Sequence, residues 1–300
     1  MVERAPFIAS CIGDRLEGDR SVLVPWWSIT KTCLSACVLV LVAGGRLDLD
    51  RPMPGRRFTL RQLLQHTSGL SCYTEHPDYD PAVDAHADPW TDEHLLALSE
   101  SVAPLFEPGQ GWTYSNTGYF LVRRLIEQTT GNDIERALRT LVLEPLGISE
   151  VFIARTRADL RRSIWGDEDD FHPGWVAHGL LMGHPADAAL FMHRLFTGVL
   201  LPAPLRKAMR ERYPVNVNLP DRPWRTAGYG LGLMMDIASP HGLCIGHSGQ
   251  GPDSVSAAYH FPDLVPPVSV AAFAPTDDQG IAERAVLEQA GAIVEGRRGR

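Results

Sequence analysis

The residue pair with the clearest chemical potential is Ser28 and Lys31, in the run Ser28-Ile29-Thr30-Lys31. At the start of a helix, side chains three positions apart share a face, so the lysine amine can reach the serine hydroxyl. A serine hydroxyl is a weak nucleophile until a neighbour takes its proton. Lysine can do so where burial and the positive end of a helix lower its pKa, whereas arginine never loses its proton in a protein. The chain holds only two lysines, Lys31 and Lys207, and draws the rest of its permanent basic charge from arginine. The plainer alternative is a capped core helix with Lys31 snorkelling to the surface.

Two other groups of residues carry polar chemistry. Tyr114-Ser115-Asn116 stands between a Pro108-Gly109 loop and an apolar helical period. There a phenol can relay a proton and an Asn amide can bind a substrate carbonyl; alternatively, Asn116 only caps the helix and Tyr114 packs beneath it. His247-Ser248-Gly249-Gln250 closes an expected strand. A glycine there lets a ligand or another backbone come close, and an imidazole can hydrogen-bond a carbonyl or carboxylate. Taken singly, His-Ser-Gly is a common turn.

The elements that must position these residues follow from pattern. Residues 5–24 alternate loosely around Gly13-Asp14 and Gly18-Asp19, which predicts one or two short strands. Residues 29–43 are almost wholly apolar with helical spacing, as in a helix through the centre of a protein, and Gly44-Gly45 stops it. Helices are expected over 60–65, over 92–101 behind a Thr91 cap, over 117–129 ahead of Gly131, and over 133–143 and 184–196. After Pro223 the segments 228–237, 242–247, 254–261 and 267–274 read as an antiparallel meander, and 281–294 as a closing amphipathic helix. This order implies an α+β fold, an antiparallel sheet flanked by helices with a mostly helical insert. Residues 1–48 and 224–300 would form the sheet domain and 49–223 the helical one, with the active site between them.

Bulk properties narrow the classes. At 300 residues, 44% hydrophobic and 21% charged, the chain has the composition of an ordinary globular protein. Its net charge is −8 and no basic cluster offers a track for phosphates, so nucleic acid is not an expected partner. The Arg-rich tail 296–300 reads as a frayed end. The apolar run 33–43 is too short to span a bilayer, so no membrane association is expected. Residues 7–11 resemble a lipoprotein cleavage site, but the apolar stretch before them is short and Glu3 is acidic; a cytoplasmic location is the default. Cys11, Cys33, Cys37, Cys72 and Cys244 lack CxxC spacing and suggest neither a disulfide framework nor a zinc site. His172, His178, His184 and His193 lack HExxH spacing and read as surface or core histidines, so no metal or other cofactor is expected. The segment 71–90, with His76, Asp78, Asp80, Asp84, His86 and Asp88, reads as a solvated lid or rim.

In combination, Ser-x-x-Lys opening a buried helix, Tyr-x-Asn in mid-chain and His-x-Gly near the C-terminus resemble the serine β-lactamase and penicillin-binding-protein superfamily, in its class C-like and esterase-like branch. The likeness runs from about Val24 to Pro275 and includes Gly45-Arg46-Leu47-Asp48-Leu49-Asp50, Leu63-Leu64-Gln65-His66-Thr67-Ser68-Gly69-Leu70 and Glu144-Pro145-Leu146-Gly147-Ile148. The resemblance implies that Ser28 is acylated, that Lys31 accepts its proton, and that Tyr114 shares that role or protonates the leaving group. It further implies that Asn116 holds a substrate carbonyl or amide, that His247, Ser248 and Gly249 line the substrate strand, and that the amides of Ser28 and Gln250 form an oxyanion hole. Partners would be a small molecule or short peptide; the oligomeric state stays open. Two departures stand out. Only residues 1–27 precede the serine, fewer than is usual, and His247 occupies a position where typical β-lactamases have lysine. The histidine form is closer to carboxypeptidases, D-aminopeptidases and esterases, and disfavours efficient β-lactam hydrolysis.

Competing readings remain. Gly246-His247-Ser248-Gly249-Gln250 nearly matches the G-x-S-x-G elbow of α/β-hydrolases, but only about fifty residues follow Ser248, too few for the partner residues and their strands. A non-enzymatic family member acting as a binding protein would be expected to have lost Ser28 or Lys31, and it has lost neither.

Overall fold

The computed structural model describes residues 5–13, 15–166, 170–216 and 220–298. The loosely alternating N-terminal segment forms strands β1 (Phe7–Ile12), β2 (Arg15–Glu17) and β3 (Val24–Pro25), and leads directly into α1 (Ile29–Ala43). α1 ends at Gly44-Gly45, with Gly45 in the left-handed region at φ 67°. Then come α2 (Leu60–Leu64), α3 (Tyr79–Asp84), α4 (Asp92–Ser101), α5 (Asn116–Thr130) and α6 (Ile134–Leu138), which continues as a π-helical turn over Arg139–Leu143. Thr91 caps α4 through the His94 N–H, and Gly131 closes α5 at φ 71°. β4 (Phe152–Ala154), α7 (Arg157–Leu160) and β5 (Leu180–Gly183) precede α8 (Pro185–Thr197) and α9 (Ala203–Met209). The last third holds β6 (Tyr213–Pro214), β7 (Ala227–Tyr229), β8 (Met234–Ser239), β9 (Gly242–Gly251), β10 (Ser254–Phe261), β11 (Val268–Ala274) and α10 (Gln279–Arg298).

The large sheet is antiparallel throughout, in the order β2-β1-β11-β10-β9-β8-β7-β6, and a smaller one runs β3-β5-β4. The short N-terminal lead therefore supplies two strands to the large sheet, with β1 paired to β11 from Phe7↔Phe273 to Ile12↔Val268. The expected strand over 228–237 is two strands, because Gly232 turns the chain at φ 69° directly against Ser35 of α1. The C-terminal helix extends through most of the expected frayed tail, to Arg298; residues 299 and 300 lie outside the described residues.

Strand periodicity sends alternate side chains to two separate cores. Ala258, Ala271 and Phe273 face α1 and α8, while Val255, Ala257, Tyr259, Val270 and Ala272 pack against Ala282, Val286 and Ala290 of α10. α8 thus covers the sheet face beside α1, packed on β1, β10 and β11. The expected boundaries, 49–223 for a helical domain, placed it in the insert; its apolar Ala/Leu/Phe face has its partner on the sheet instead. α1 is buried on nearly every side, including Lys31, which excludes a snorkelling lysine. The five cysteines are buried and unbridged, and burial pushes the Cys37 thiol up to about 12. Among the described residues no helix is long and apolar enough to cross a membrane.

One buried ion pair ties α10 to the sheet. Glu283, with no exposed surface, takes the Arg222 guanidinium and the Ser248 hydroxyl of β9. Removing one partner of such a pair leaves an uncompensated buried charge. Glu283→Ala is expected to lower unfolding free energy by about 3 kcal/mol in urea denaturation.

Candidate active site

Ser28 stands at the N-cap of α1, and its position is set by the residue before it. Trp27 adopts φ 45°, a left-handed conformation that is unfavourable for a bulky side chain. Three contacts hold it there. The indole Nε1 donates to Ser254 Oγ at 3.0 Å, the ring lies where a side chain on Gly251 would stand, and Ser256 Oγ donates to the Trp26 carbonyl at 3.0 Å. Gly249 is equally constrained, since a Cβ there would come within 2.5 Å of the Ser28 backbone nitrogen. Strand β9 is therefore pressed against the start of α1.

Lys31 Nζ and Tyr114 Oη each lie 2.9 Å from Ser28 Oγ, on residues 3 and 86 positions away in the chain. Lys31 has no exposed surface, and burial lowers its amine to about 7. The Tyr114 phenol is pushed up by burial, so it stays protonated and donates its O–H to Ser28. Of the three groups, Lys31 alone titrates near neutral pH.

Tyr114 is aimed by a stitched pair of loops. Gly109 N–H donates to the Thr67 carbonyl at 2.7 Å, and Thr113 N–H to the His66 carbonyl at 3.1 Å. His66, at φ 61°, accepts the Ser115 N–H on Nδ1 and lays its ring 4.4 Å from that of Tyr114. The sequence stretch 63–70, which carries no reacting group, is legible here as the brace under the phenol.

The structure corrects two sequence expectations on β9. Both nitrogens of His247 are engaged within the protein: Nδ1–H donates to the Ser248 carbonyl at 2.5 Å, and Nε2 accepts the Tyr229 hydroxyl at 2.8 Å. Its ring is buried, and burial followed by the nearby Lys31 charge lowers it to about 3. It forms a neutral wall beside Tyr114 and Tyr229 rather than a free donor for substrate. Ser248 points to the opposite face, bonded to Tyr259 Oη at 2.7 Å and to Glu283; strand alternation sends 247 and 249 one way and 248 the other. Asn116 begins α5 with Ser115 as its cap, and its amide side chain, half-buried, has no hydrogen-bond partner among the described residues. Gln250 follows Gly249 with its side chain bonded to the Asp277 carbonyl at 2.8 Å.

Sequence reasoning missed three contributors. His178, read there as a surface or core residue, places Nε2 3.1 Å from Lys31 Nζ. Tyr229 holds His247, and Trp27 seats Ser28. The rim segment 71–90 is also less solvated than expected: Tyr79, Ala82, Val83, Ala87 and Trp90 pack on the Trp27, Phe171 and Trp175 cluster.

Among the described residues Glu150, His184 and Asp187 bring metal-type donor atoms within 4.8 Å of one another. Two of the three have protein partners outside the trio: Arg20 pairs with Asp187 at 3.0 Å and His184 Nδ1 donates to the Val22 carbonyl at 2.7 Å. These contacts fasten residues 20–22 to the start of α8.

Holding the Lys31 amine near 7 instead of the ordinary 10.5 costs the fold on the order of 5 kcal/mol at neutral pH. The sign follows from linkage. Between pH 7 and 10 the unfolded chain binds the extra proton, so stability rises with pH across that window and is flat below it. Lys31→Met is expected to be more stable than wild type by about 1–3 kcal/mol at pH 7, with the gap closing toward pH 10, in chemical denaturation.

Known proteins bear out the architecture. The beta-lactamase family model matches residues 19–291. A penicillin-binding protein of Bacillus subtilis is 26% identical over 265 residues, covering 75% of this chain and 55% of its own length. A lovastatin esterase of Penicillium rubens is 30% identical over 178 residues, 58% of this chain and 42% of the esterase. The chain thus spans about half the length of the curated relatives it matches. A D-stereospecific amidohydrolase from Streptomyces sp. superposes with TM-score 0.79 at 29% identity, covering 96% of this chain and 94% of that one. A family match that begins before Ser28 and runs beyond β11, on a sheet and helices that superpose almost end to end, places the chain in the beta-lactamase family.

Proposed function

We propose that the chain is a serine hydrolase that cleaves ester or amide bonds through an acyl-enzyme on Ser28. The observation that carries this is the buried Lys31 amine, 2.9 Å from a hydroxyl that also receives the Tyr114 phenol. Neutral Lys31 accepts the Ser28 proton as Oγ bonds to the substrate carbonyl carbon. The backbone N–H groups of Ser28 and Gln250 receive the charge that develops on the carbonyl oxygen. When the bond to the leaving group breaks, the Tyr114 phenol supplies the proton and is recharged from the Lys31 ammonium. Water then attacks the ester along the same path in reverse and frees Ser28. Asn116, with its unengaged amide, holds the acyl side of the substrate.

A small ester, amide or short peptide is the substrate class, and D-amino-acid amides are the first to assay. The likeness to a D-stereospecific amidohydrolase along nearly the whole chain supports that choice. Both nitrogens of neutral His247 are occupied, so it supplies no fixed cation for the carboxylate of a β-lactam. Turnover of nitrocefin is therefore expected to be poor beside that of p-nitrophenyl esters.

Ser28→Ala is expected to abolish turnover and to prevent the mass shift that a fluorophosphonate leaves on the intact wild-type protein. Wild-type turnover in that variant would rule the mechanism out. Lys31→Arg is expected to lose about as much as Lys31→Ala, on the order of 10³-fold in kcat/KM, because a permanent cation cannot accept a proton. In the wild type, kcat/KM should rise with pH through about 7 as the ammonium form empties. A profile flat from pH 5 to 9 contradicts the assignment of Lys31 as base.

A further inference from the structure

His178 lies in the loop that enters β5, and nothing in the proton transfers described above uses it. The loop is held in place by the Tyr73 phenol, whose oxygen donates to the Trp175 carbonyl at 2.7 Å and accepts the Ala177 N–H at 3.0 Å. Gly179 turns the chain at φ 95° and donates its N–H to the Val176 carbonyl at 2.7 Å. His178 is thereby pinned with its imidazole inside the protein, Nε2 3.1 Å from Lys31 Nζ. Its Nδ1 is buried without a hydrogen-bond partner among the described residues.

The chemistry of the pair selects one arrangement. A lysine ammonium has three N–H groups and no lone pair, so Nε2 must accept from it and the imidazole proton must sit on Nδ1. The other groups facing Lys31 are Ser28 Oγ, the Tyr114 ring at 4.9 Å, the Tyr119 ring at 5.7 Å, and the His66 and His247 imidazoles and the Cys72 thiol close by. His66 Nδ1 and both nitrogens of His247 are already bonded elsewhere. Once Ser28 Oγ becomes an ester oxygen it is a poor acceptor. His178 Nε2 then remains as an acceptor 3.1 Å from the ammonium.

We propose that His178 is a positioning residue that accepts a hydrogen bond from Lys31, stabilising the ammonium formed during acylation and turning the amine lone pair toward Ser28. This rests on the reading of Lys31 as base. His178 does not itself take the proton, since burial and then the Lys31 charge hold it well below the ordinary histidine range. In the free enzyme the bond to Nε2 occupies one N–H of the amine, leaving the lone pair directed at the hydroxyl.

The test compares His178→Phe, which fills the space without an acceptor, with His178→Gln, which restores an acceptor oxygen. Both are assayed with a p-nitrophenyl ester across pH 5–9 beside wild type and Lys31→Ala. Losing an acceptor for a charged group is worth roughly 10- to 100-fold. His178→Phe is expected to lose that much kcat with KM within about twofold of wild type. Its acidic limb should move about one pH unit lower, because an ammonium without its acceptor gives up its proton more readily. His178→Gln should recover most of both. A Phe variant with wild-type kcat and limb, or a folded Gln variant as impaired as Phe, overturns the proposal. Should His178→Phe fail to fold, His178→Leu carries the same comparison. Full activity in Lys31→Ala would instead remove the reading of Lys31 as base, independently of His178.

Discussion

The structure is organised around the burial of one lysine amine. In water such a group is protonated at neutral pH and is of no use as a base. With no exposed surface on Lys31, the charged form loses its hydration and burial lowers the amine from its ordinary 10.5 to about 7. The helix that carries it is shaped by that burial. α1 must run through the middle of the protein, so it is apolar on all sides, and its few polar groups are matched locally. Thr30 Oγ1 accepts the Leu181 N–H, Thr32 Oγ1 donates to the Gly232 carbonyl, and Ser35 bonds to Tyr119.

The same dry environment sets the state of the surrounding groups. His66, His178 and His247 are all pushed down by burial first and by the Lys31 charge second, so the amine is ringed by neutral imidazoles. The phenols of Tyr114, Tyr119 and Tyr229 are pushed up and keep their protons. One physical cause therefore leaves a single titrating group near neutrality among seven ionisable side chains. Close backbone approach does the rest: Gly249 and Gly251 let β9 press on Ser28 and Trp27, which hydrogen bonds from β10 hold in an unfavourable conformation.

What was legible in the sequence had local causes. The helical period of 29–43, the Thr91 cap, the Gly131 stop and the alternation of 254–261 are each written within a few residues, and each formed as expected. Ser28 and Lys31 were legible because three residues are one helical turn. The pairing of Tyr114 with Ser28 needed a resemblance, since the tertiary fold alone joins positions 86 residues apart. His178 was missed because it lies 147 residues from Lys31 in a loop with no periodicity, and scattered histidines are more often ordinary core residues. Ser248 was different: strand alternation already assigned it to the face opposite Gly249, and treating His-Ser-Gly as one unit overrode that signal. The misplacement of α8 had another origin. Amphipathic spacing shows that a helix has an apolar face but not which partner covers it.

Burial of Lys31 should leave its amine neutral in a substantial fraction of molecules near pH 7. The chain contains only Lys31 and Lys207, so protein labelled with 13C at the lysine ε-carbons gives two resonances, and Lys207→Arg assigns them. An NMR titration from pH 5 to 11 measures the ionisation of Lys31 directly, without a substrate. A midpoint near 7 is expected for that resonance. A midpoint near 10 would mean that Lys31 is a permanent cation under working conditions, and the serine would have to be activated by another group.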